Sequence, residues 1–377
     1  MSYNILVINW QDIRNPLGGG AEVHLHETFK RIVQKGHSVT LLCCSHDGLP
    51  DNEIVDGIQI FRRGSRNAFN FHVPSQYKKL REQTNFDVVI DDINKIPFYS
   101  PFFVKEPLIG IIHHLFGSSI FLEAPLPIAL YVNLAEKLIP AIYRNIPMAV
   151  VSNSTKNELV QKGFDEENIH LVYNAVEPEA YRADFSKKAV HPVVGYLGRI
   201  KKYKSVNHLI QAFKIVEKSI PDARLLLIGD GDYLPELKKL VAKLNLKDKV
   251  DFTGITHHQK KIDYLNKMWL MVNPSPKEGW GLTVIEGNSC GLPVIAADSP
   301  GLRDSVVHNE TGFLYPYGDY HKLADLILNL LKNDKLRNSL TDKCIDWAHR
   351  FNWEKSANDM LNLIETVLSR RELNAGQ

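Results

Sequence analysis

Residues 269–297 alternate short apolar runs with glycine-rich breaks in a pattern few folds accept. Trp269-Leu270-Met271-Val272 is uninterrupted and apolar, as in a strand buried on both faces of a parallel sheet. Pro274, Pro276, Gly279 and Gly281 then force a loop. From Leu282 the pattern is helical, with Leu282, Ile285 and Ser289 on one side, until Gly291-Leu292-Pro293 stops it. Val294-Ile295-Ala296-Ala297 is the next strand. Strand, glycine loop, short helix, strand is a βαβ unit, so the chain belongs to the α/β class.

The same stretch carries chemistry. Gly279 and Gly281 let backbone N–H groups approach a ligand with no Cβ in the way. The helix that follows aims its unpaired N–H groups and positive dipole end at the loop, which suits an anion and above all a phosphate. Glu278 in the loop and Glu286 in the helix are acceptors, so they suit hydroxyls of a ribose or sugar ring. Two solvated glutamates flanking a tight turn are the plainer alternative. The whole string Pro-Ser-Pro-Lys-Glu-Gly-Trp-Gly-Leu-Thr-Val-Ile-Glu-Gly-Asn-Ser-Cys-Gly-Leu-Pro-Val-Ile resembles the signature of the retaining GT-B glycosyltransferases of glycosyltransferase family 4 (glycosyl transferases group 1).

The rest of the chain follows the same strand–helix plan. Ile5 to Asn9 leads into Gly18-Gly19-Gly20-Ala21-Glu22, then a helix to Lys35 and a strand at Val39 to Cys44. A plain glycine turn accounts for three glycines. The resemblance implies instead that Gly19 and Gly20 lie over a donor diphosphate. Ile58 to Arg63 reads as an edge strand, and Arg62-Arg63-Gly64-Ser65-Arg66 as a solvated basic run or an acceptor-phosphate contact. Strands at Asp87 to Ile90 and Leu108 to Ile112 follow, the latter ending in His113-His114. Ligands of open α/β sheets gather at such strand ends. A satisfied core histidine is the alternative. The resemblance favours His113, one residue before His114, as a hydrogen-bonding group beside sugar and acceptor.

Residues 116–143 are unusually apolar. They read first as a buried helix pair, and otherwise as an exposed surface that docks a lipid-linked acceptor or touches a membrane face. In the Asn174-Ala175 pair, Ala175 departs from the Asn-Gly usual in the family, and alanine resists positive φ. Residues 177–190 read as a linker. Val193 to Leu197 opens a second half, followed by Gly198-Arg199-Ile200-Lys201-Lys202-Tyr203-Lys204. A solvated basic helix start is the bland reading. The resemblance makes this the motif in which Gly198, Arg199 and Lys204 grip the donor diphosphate, while Lys201 and Lys202 are solvated. Strands at Arg224 to Ile228 and Val250 to Phe252 end in Gly229-Asp230-Gly231 and Gly254, where the family places the nucleotide base. Helices at His321 to Lys332, Lys335 to Arg350 and Trp353 to Arg370 complete the chain.

Its 377 residues exceed one ordinary core. The expected domains are 1–185 and 186–352, both Rossmann-like and doubly wound, with the last helix crossing back to the first. A net charge of +2 leaves no nucleic-acid footprint. It divides unevenly: residues 1–185 carry 17 Lys/Arg against 21 Asp/Glu, and the remainder 28 against 22. A positive second half suits a phosphorylated ligand, whereas an acidic first half argues against strong attraction to anionic lipid. Cys43, Cys44, Cys290 and Cys344 show no metal spacing and read as buried thiols of a reducing compartment. No uncharged run reaches the roughly 18 residues of a spanning helix. The N-terminus reads as a strand, not a signal peptide. The expected location is cytoplasmic, with peripheral contact at the inner membrane face as an option.

By resemblance, the chain transfers a sugar, with retention, from a nucleoside-diphosphate sugar (UDP or GDP) to a glycan, glycolipid or small-molecule hydroxyl. No separate cofactor and no metal are expected. Arg199, Lys204, Gly198 and the amides of Gly279, Trp280, Gly281, Leu282 and Thr283 would hold the diphosphate. Glu286 would hold ribose, Glu278 the transferred sugar, and His113 would face sugar and acceptor. A sugar-nucleotide epimerase of related shape and a non-catalytic nucleotide-sugar-binding module are the alternatives.

Overall fold

The computed structural model describes residues 2–94, 96–177 and 179–375. It divides into two compact units, residues 1–175 with 353–377, and residues 176–352. Residues 176–185, placed with the first domain from sequence, belong to the second unit. Asn266 explains part of this: its side chain accepts from the Asp184 N–H at 2.8 Å and donates to the Arg182 carbonyl at 3.1 Å.

The first unit is built on an eight-stranded sheet. Its strands are β1 (Asn4–Ile8), β2 (Ser38–Cys43), β3 (Asn52–Val55), β4 (Ile58–Arg62), β5 (Val88–Ile93), β6 (Leu108–Ile112), β7 (Met148–Val150) and β8 (Ile169–Leu171). Their spatial order is β3-β4-β2-β1-β5-β6-β7-β8. Every pairing is parallel except β3 with β4. The edge-strand expectation for Ile58 to Arg63 is therefore corrected: β3 is the edge, turned back by Asp56 (φ 49°) and Gly57 (φ 84°). Two successive positive φ angles make the hairpin turn that Asp-Gly favours. Arg62 is also corrected. It is fully buried, and its guanidinium holds Asp12 at 2.7 Å and Glu53 at 2.8 Å, so it serves the hairpin rather than an acceptor.

Helix α1 (Gly20–Gln34) connects β1 to β2, and α2 (Phe69–Gln83) connects β4 to β5. The apolar stretch folds as α3 (Leu126–Lys137) and α4 (Ile139–Tyr143), and α5 (Asn153–Gln161) leads to β8. The buried-pair expectation fails for α3. Ala129, Val132 and Ala135 are inside, but Leu126 (64% exposed), Ile128, Leu130 and Leu134 (60%) are not. Residues 126–143 have the length and composition of a membrane-crossing segment, with mean hydropathy 1.2, and only 33% of the stretch is buried.

The second unit has six strands: β9 (Val193–Leu197), β10 (Arg224–Ile228), β11 (Val250–Gly254), β12 (Leu270–Asn273), β13 (Val294–Ala297) and β14 (Gly312–Tyr315). They lie in the order β11-β10-β9-β12-β13-β14 and pair only in parallel. Counted within the unit this is 3-2-1-4-5-6, the doubly wound order, with its switch point between β9 and β12. The connecting helices are α6 (Val206–Ser219), α7 (Leu234–Lys243), α8 (His258–Lys267), α9 (Leu282–Ser289), α10 (Leu302–Ser305), α11 (Tyr320–Lys332) and α12 (Asp334–Ala348).

The last helix, α13 (Trp353–Ala375), returns to the first unit as expected. Ala357, Met360, Leu363, Ile364 and Val367 join Leu25, Phe29 and Ile32 of α1 in one core cluster. The Ser356 hydroxyl donates to the Tyr173 carbonyl at 2.7 Å. Ala175 takes no positive φ, as an alanine favours.

Candidate functional site

In the second unit the expected residues meet at the C-terminal ends of β9 and β12, the strands that flank the switch point. The loop after β9 is stitched to the loop after β10. Gly198 donates its N–H to the Ile228 carbonyl at 3.0 Å, and Ile200 to the Asp230 carbonyl at 2.8 Å. Two glycines permit this. A Cβ at Gly229 would stand 1.9 Å from the Gly198 carbonyl oxygen, far inside any contact distance. The Tyr196 hydroxyl fixes the Arg199 carbonyl at 3.0 Å. The Arg199 side chain is exposed, and its guanidinium has no hydrogen-bond or ion-pair partner among the described residues. Lys201 pairs with Asp232 at 2.8 Å on the surface, as a solvated lysine does.

Lys204 behaves differently. Its ammonium lies 2.5 Å from Glu278 Oε1, with only 13% and 16% of the two side chains exposed, and 5.0 Å from the Tyr203 ring centre. Burial opposes the ammonium charge, but the Glu278 carboxylate outweighs it and holds the lysine pKa above its ordinary value. Two residues singled out separately in the sequence thus form one ion pair.

The loop from Asn273 to Gly281 is held to the loop after β13. The Glu278 N–H donates to the Pro300 carbonyl at 3.1 Å, and Ser299 Oγ to the Ser275 carbonyl at 2.8 Å. Gly281 caps α9 with φ +90°, a conformation side chains rarely adopt. Gly279, Leu282 and Thr283 place their amides around this helix start, where the first N–H groups have no intrahelical acceptor. The Trp280 side chain is not at the surface. It is buried edge-to-face on Phe351, with ring centres 4.9 Å apart, so only its backbone faces the loop.

Glu286 is inside α9's first two turns and 7% exposed. Its Oε1 accepts from the Tyr181 hydroxyl at 2.5 Å and from Lys261 Nζ at 2.6 Å. Tyr181 and Lys261 were not identified from sequence, since they lie 105 and 25 residues away from Glu286.

The first unit gathers its own group at the ends of β1, β5 and β6. The Gly19 N–H donates to Glu22 Oε2 at 2.6 Å, closing a capping box on α1. A Cβ at Gly20 would meet nothing within 4 Å, so the protein's own packing does not demand glycine there. Burial raises the Glu22 pKa above the usual carboxylate range. His113 is buried with Nε2 3.2 Å from Asp92 Oδ1. Burial disfavours its imidazolium, but the Asp92 charge prevails and raises the histidine pKa. His24 stands edge-on to His113 at 5.2 Å, wholly buried, and burial drops its pKa to about 3. Asp92 and Glu22 received no site role from sequence, although two adjacent acids in a buried strand already demand a partner. His114 instead tilts against Phe116. Among the described residues, no group of three or more His, Cys, Asp or Glu could hold a metal ion.

Two family models cover the chain in succession: "Glycosyltransferase Family 4" matches residues 18–180 and "Glycosyl transferases group 1" residues 178–347. The N-acetyl-alpha-D-glucosaminyl L-malate synthase of Bacillus anthracis is 24% identical over 376 residues, spanning 94% of this chain and 95% of its own. Among solved structures, sucrose-phosphate synthase from Thermosynechococcus elongatus superposes with a TM-score of 0.81 at 21% identity over the full length of both chains. The Anabaena protein HepE, solved in complex with UDP and glucose, gives 0.77 at 18% identity, covering 97% of this chain and 100% of that one.

Proposed function

Given that the chain belongs to glycosyltransferase family 4 and has the GT-B fold, we propose that it moves a sugar, with retention, from a nucleoside-diphosphate sugar to an acceptor hydroxyl. The observation that carries this is the unpartnered Arg199 guanidinium and the half-sheltered Lys204 at the end of β9, beside the strand whose loop leads to the amides of α9. Cations and unpaired amides at a switch point favour a diphosphate. In the reaction the bond from the anomeric carbon to the diphosphate oxygen breaks and the diphosphate keeps the electron pair. The acceptor oxygen bonds to the same face, and its proton passes to the departing diphosphate. Arg199 and Lys204 stabilise the negative charge that grows on that leaving group, which lowers the barrier. They supply the positive charge with no metal in the step. Glu286 receives ribose hydroxyls and Glu278 the transferred sugar. In the first unit the family resemblance makes Gly19, Gly20 and His113 the candidate ligand-facing groups.

UDP is the leading donor nucleotide, because HepE binds it, with GDP second. A thermal-shift series with UDP, GDP and ADP tests the assignment. At least one should raise the melting temperature of the unmodified protein, and Arg199→Ala should abolish that rise. No shift with any of them, or an equal shift in the variant, would sink it.

For the acceptor we propose a lipid-linked or membrane-apposed glycan at the cytoplasmic face. The exposed Leu126, Leu130 and Leu134 of α3 support this, because leucines four residues apart share one helix face, and an exposed apolar face implies something that covers it. The full chain should float with phosphatidylethanolamine–phosphatidylglycerol vesicles, and Leu130→Glu with Leu134→Glu should abolish flotation. Failure of the unmodified chain to float would discard the membrane reading and leave the sugar-transfer reading standing.

A further inference from the structure

The donors around Glu286 exceed what a structural carboxylate requires. Oε1 takes both the Tyr181 hydroxyl and the Lys261 ammonium, while Oε2 accepts no side-chain hydrogen bond among the described residues. The three groups lock one another. Lys261 Nζ lies 5.0 Å from the Tyr181 ring centre, and that ring sits edge-on to His258 at 5.2 Å. Tyr181 is almost fully buried, whereas 21% of the Lys261 side chain reaches solvent. Burial and the adjoining carboxylate push the Tyr181 phenol far above its ordinary pKa, so it donates and never ionises. Lys261 spends one of its three N–H donors on Glu286 and retains two.

We infer that Tyr181 and Lys261 make Glu286 into a reader of a vicinal diol, and that they set the preference for ribonucleotide over deoxyribonucleotide donors. The inference rests on the reading that Glu286 receives the donor ribose. Tyr181 is a positioning residue: it pins Oε1 and leaves Oε2 directed by elimination to the ligand. Lys261 acts on the ligand too. A ribose hydroxyl both donates and accepts. It can give its proton to Oε2 while its oxygen accepts from Lys261, a pair of bonds that a carbon bearing only hydrogen cannot make. A site with buried polar groups set for a hydroxyl rejects the analogue that lacks it, because those groups are then left unpaired.

Titration calorimetry on the full chain, with UDP, GDP and their 2′-deoxy analogues, tests this. Lys261→Met should weaken binding of the ribonucleotide by about tenfold or more, the usual cost of one charge-assisted hydrogen bond. The same change should move 2′-deoxynucleotide binding by less than about twofold. Tyr181→Phe should shift the same ratio in the same direction, and Lys261→Arg should restore most of it. Melting temperatures of the unliganded variants guard against a folding defect, and Lys261→Met removes a partly exposed side chain, so it keeps the test open if Tyr181→Phe unfolds. Equal losses for ribo- and deoxyribonucleotide would mean a purely structural cluster and overturn the inference. So would an unchanged ratio. If the unmodified protein binds both nucleotides equally, the ribose role of Glu286 falls as well. If it discriminates and Lys261→Met discriminates as strongly, the inference alone falls.

Discussion

Lys204 and Glu278 each hold a charge that the other makes tolerable at that depth. Removing one leaves the second buried and unpaired, which costs about 3 kcal/mol. Lys204→Ala should therefore lower the melting temperature and abolish sugar transfer together, an ambiguous result. Adding Glu278→Gln separates the causes. The double variant should recover most of the lost melting temperature but neither transfer nor nucleoside-diphosphate binding, the latter being the readout that leaves out the sugar contact of Glu278, because the neutral amide no longer needs a counter-ion while the diphosphate has still lost its ammonium. Recovery of transfer along with stability would show that Lys204 is only structural. A diphosphate must also compete with Glu278 for Lys204, so Glu278→Gln alone should bind a nucleoside diphosphate at least as tightly as the unmodified chain.

At the scale of elements, α13 is the clearest case of one segment completing a core begun elsewhere. Met360 is fully buried with Ile364 against Phe29 and Ile32. Met360→Ala should cost about 2–5 kcal/mol by cavity formation, read as a loss of melting temperature. The strands β9, β12 and β13 of the second unit were legible as sequence because each is a short, continuous apolar run buried on both faces. Val294 to Ala297 keeps the same bounds in both readings. β3 was not legible: it is four residues long with one buried side chain, so it lacks the apolar run that marked the others. Its true signal was Asp56-Gly57. Neither α2, which carries Pro74 within it, nor the polar α8 announced itself. The glycine loops could be read from local sequence, and the candidate site residues from the family resemblance. Their partnerships could not, because Lys204 and Glu278 are 74 residues apart and only the fold brings them within reach.

At the scale of the whole molecule, stability should depend on pH through groups buried in one protonation state. His24 is neutral in the folded chain, with a pKa near 3 against an ordinary value of 6.5. Unfolding lets it bind a proton anywhere between those values. Its contribution is therefore intact above about pH 6.5 and is lost as pH falls towards 3. Between pH 6.5 and 4.5 that loss is about 2 kcal/mol, the unfolded imidazole going from half to fully protonated over the interval. His24→Gln keeps a donor for the Val172 carbonyl, which the imidazole meets at 3.1 Å, and has nothing to titrate. Its melting temperature should fall less than that of the unmodified chain over this interval. Parallel curves would remove His24 from the account.

The order of the chain has a further consequence for how the protein is made. Residues 1–175 leave the ribosome first, yet α13, which covers α1, is translated only after residue 352. At roughly 5–20 residues per second, the apolar side chains of Leu25, Phe29 and Ile32 wait on the order of fifteen to sixty seconds for their cover. During that interval the nascent first unit is a client for any holdase in the cell, while the later unit can close as soon as its own last helix, α12, emerges.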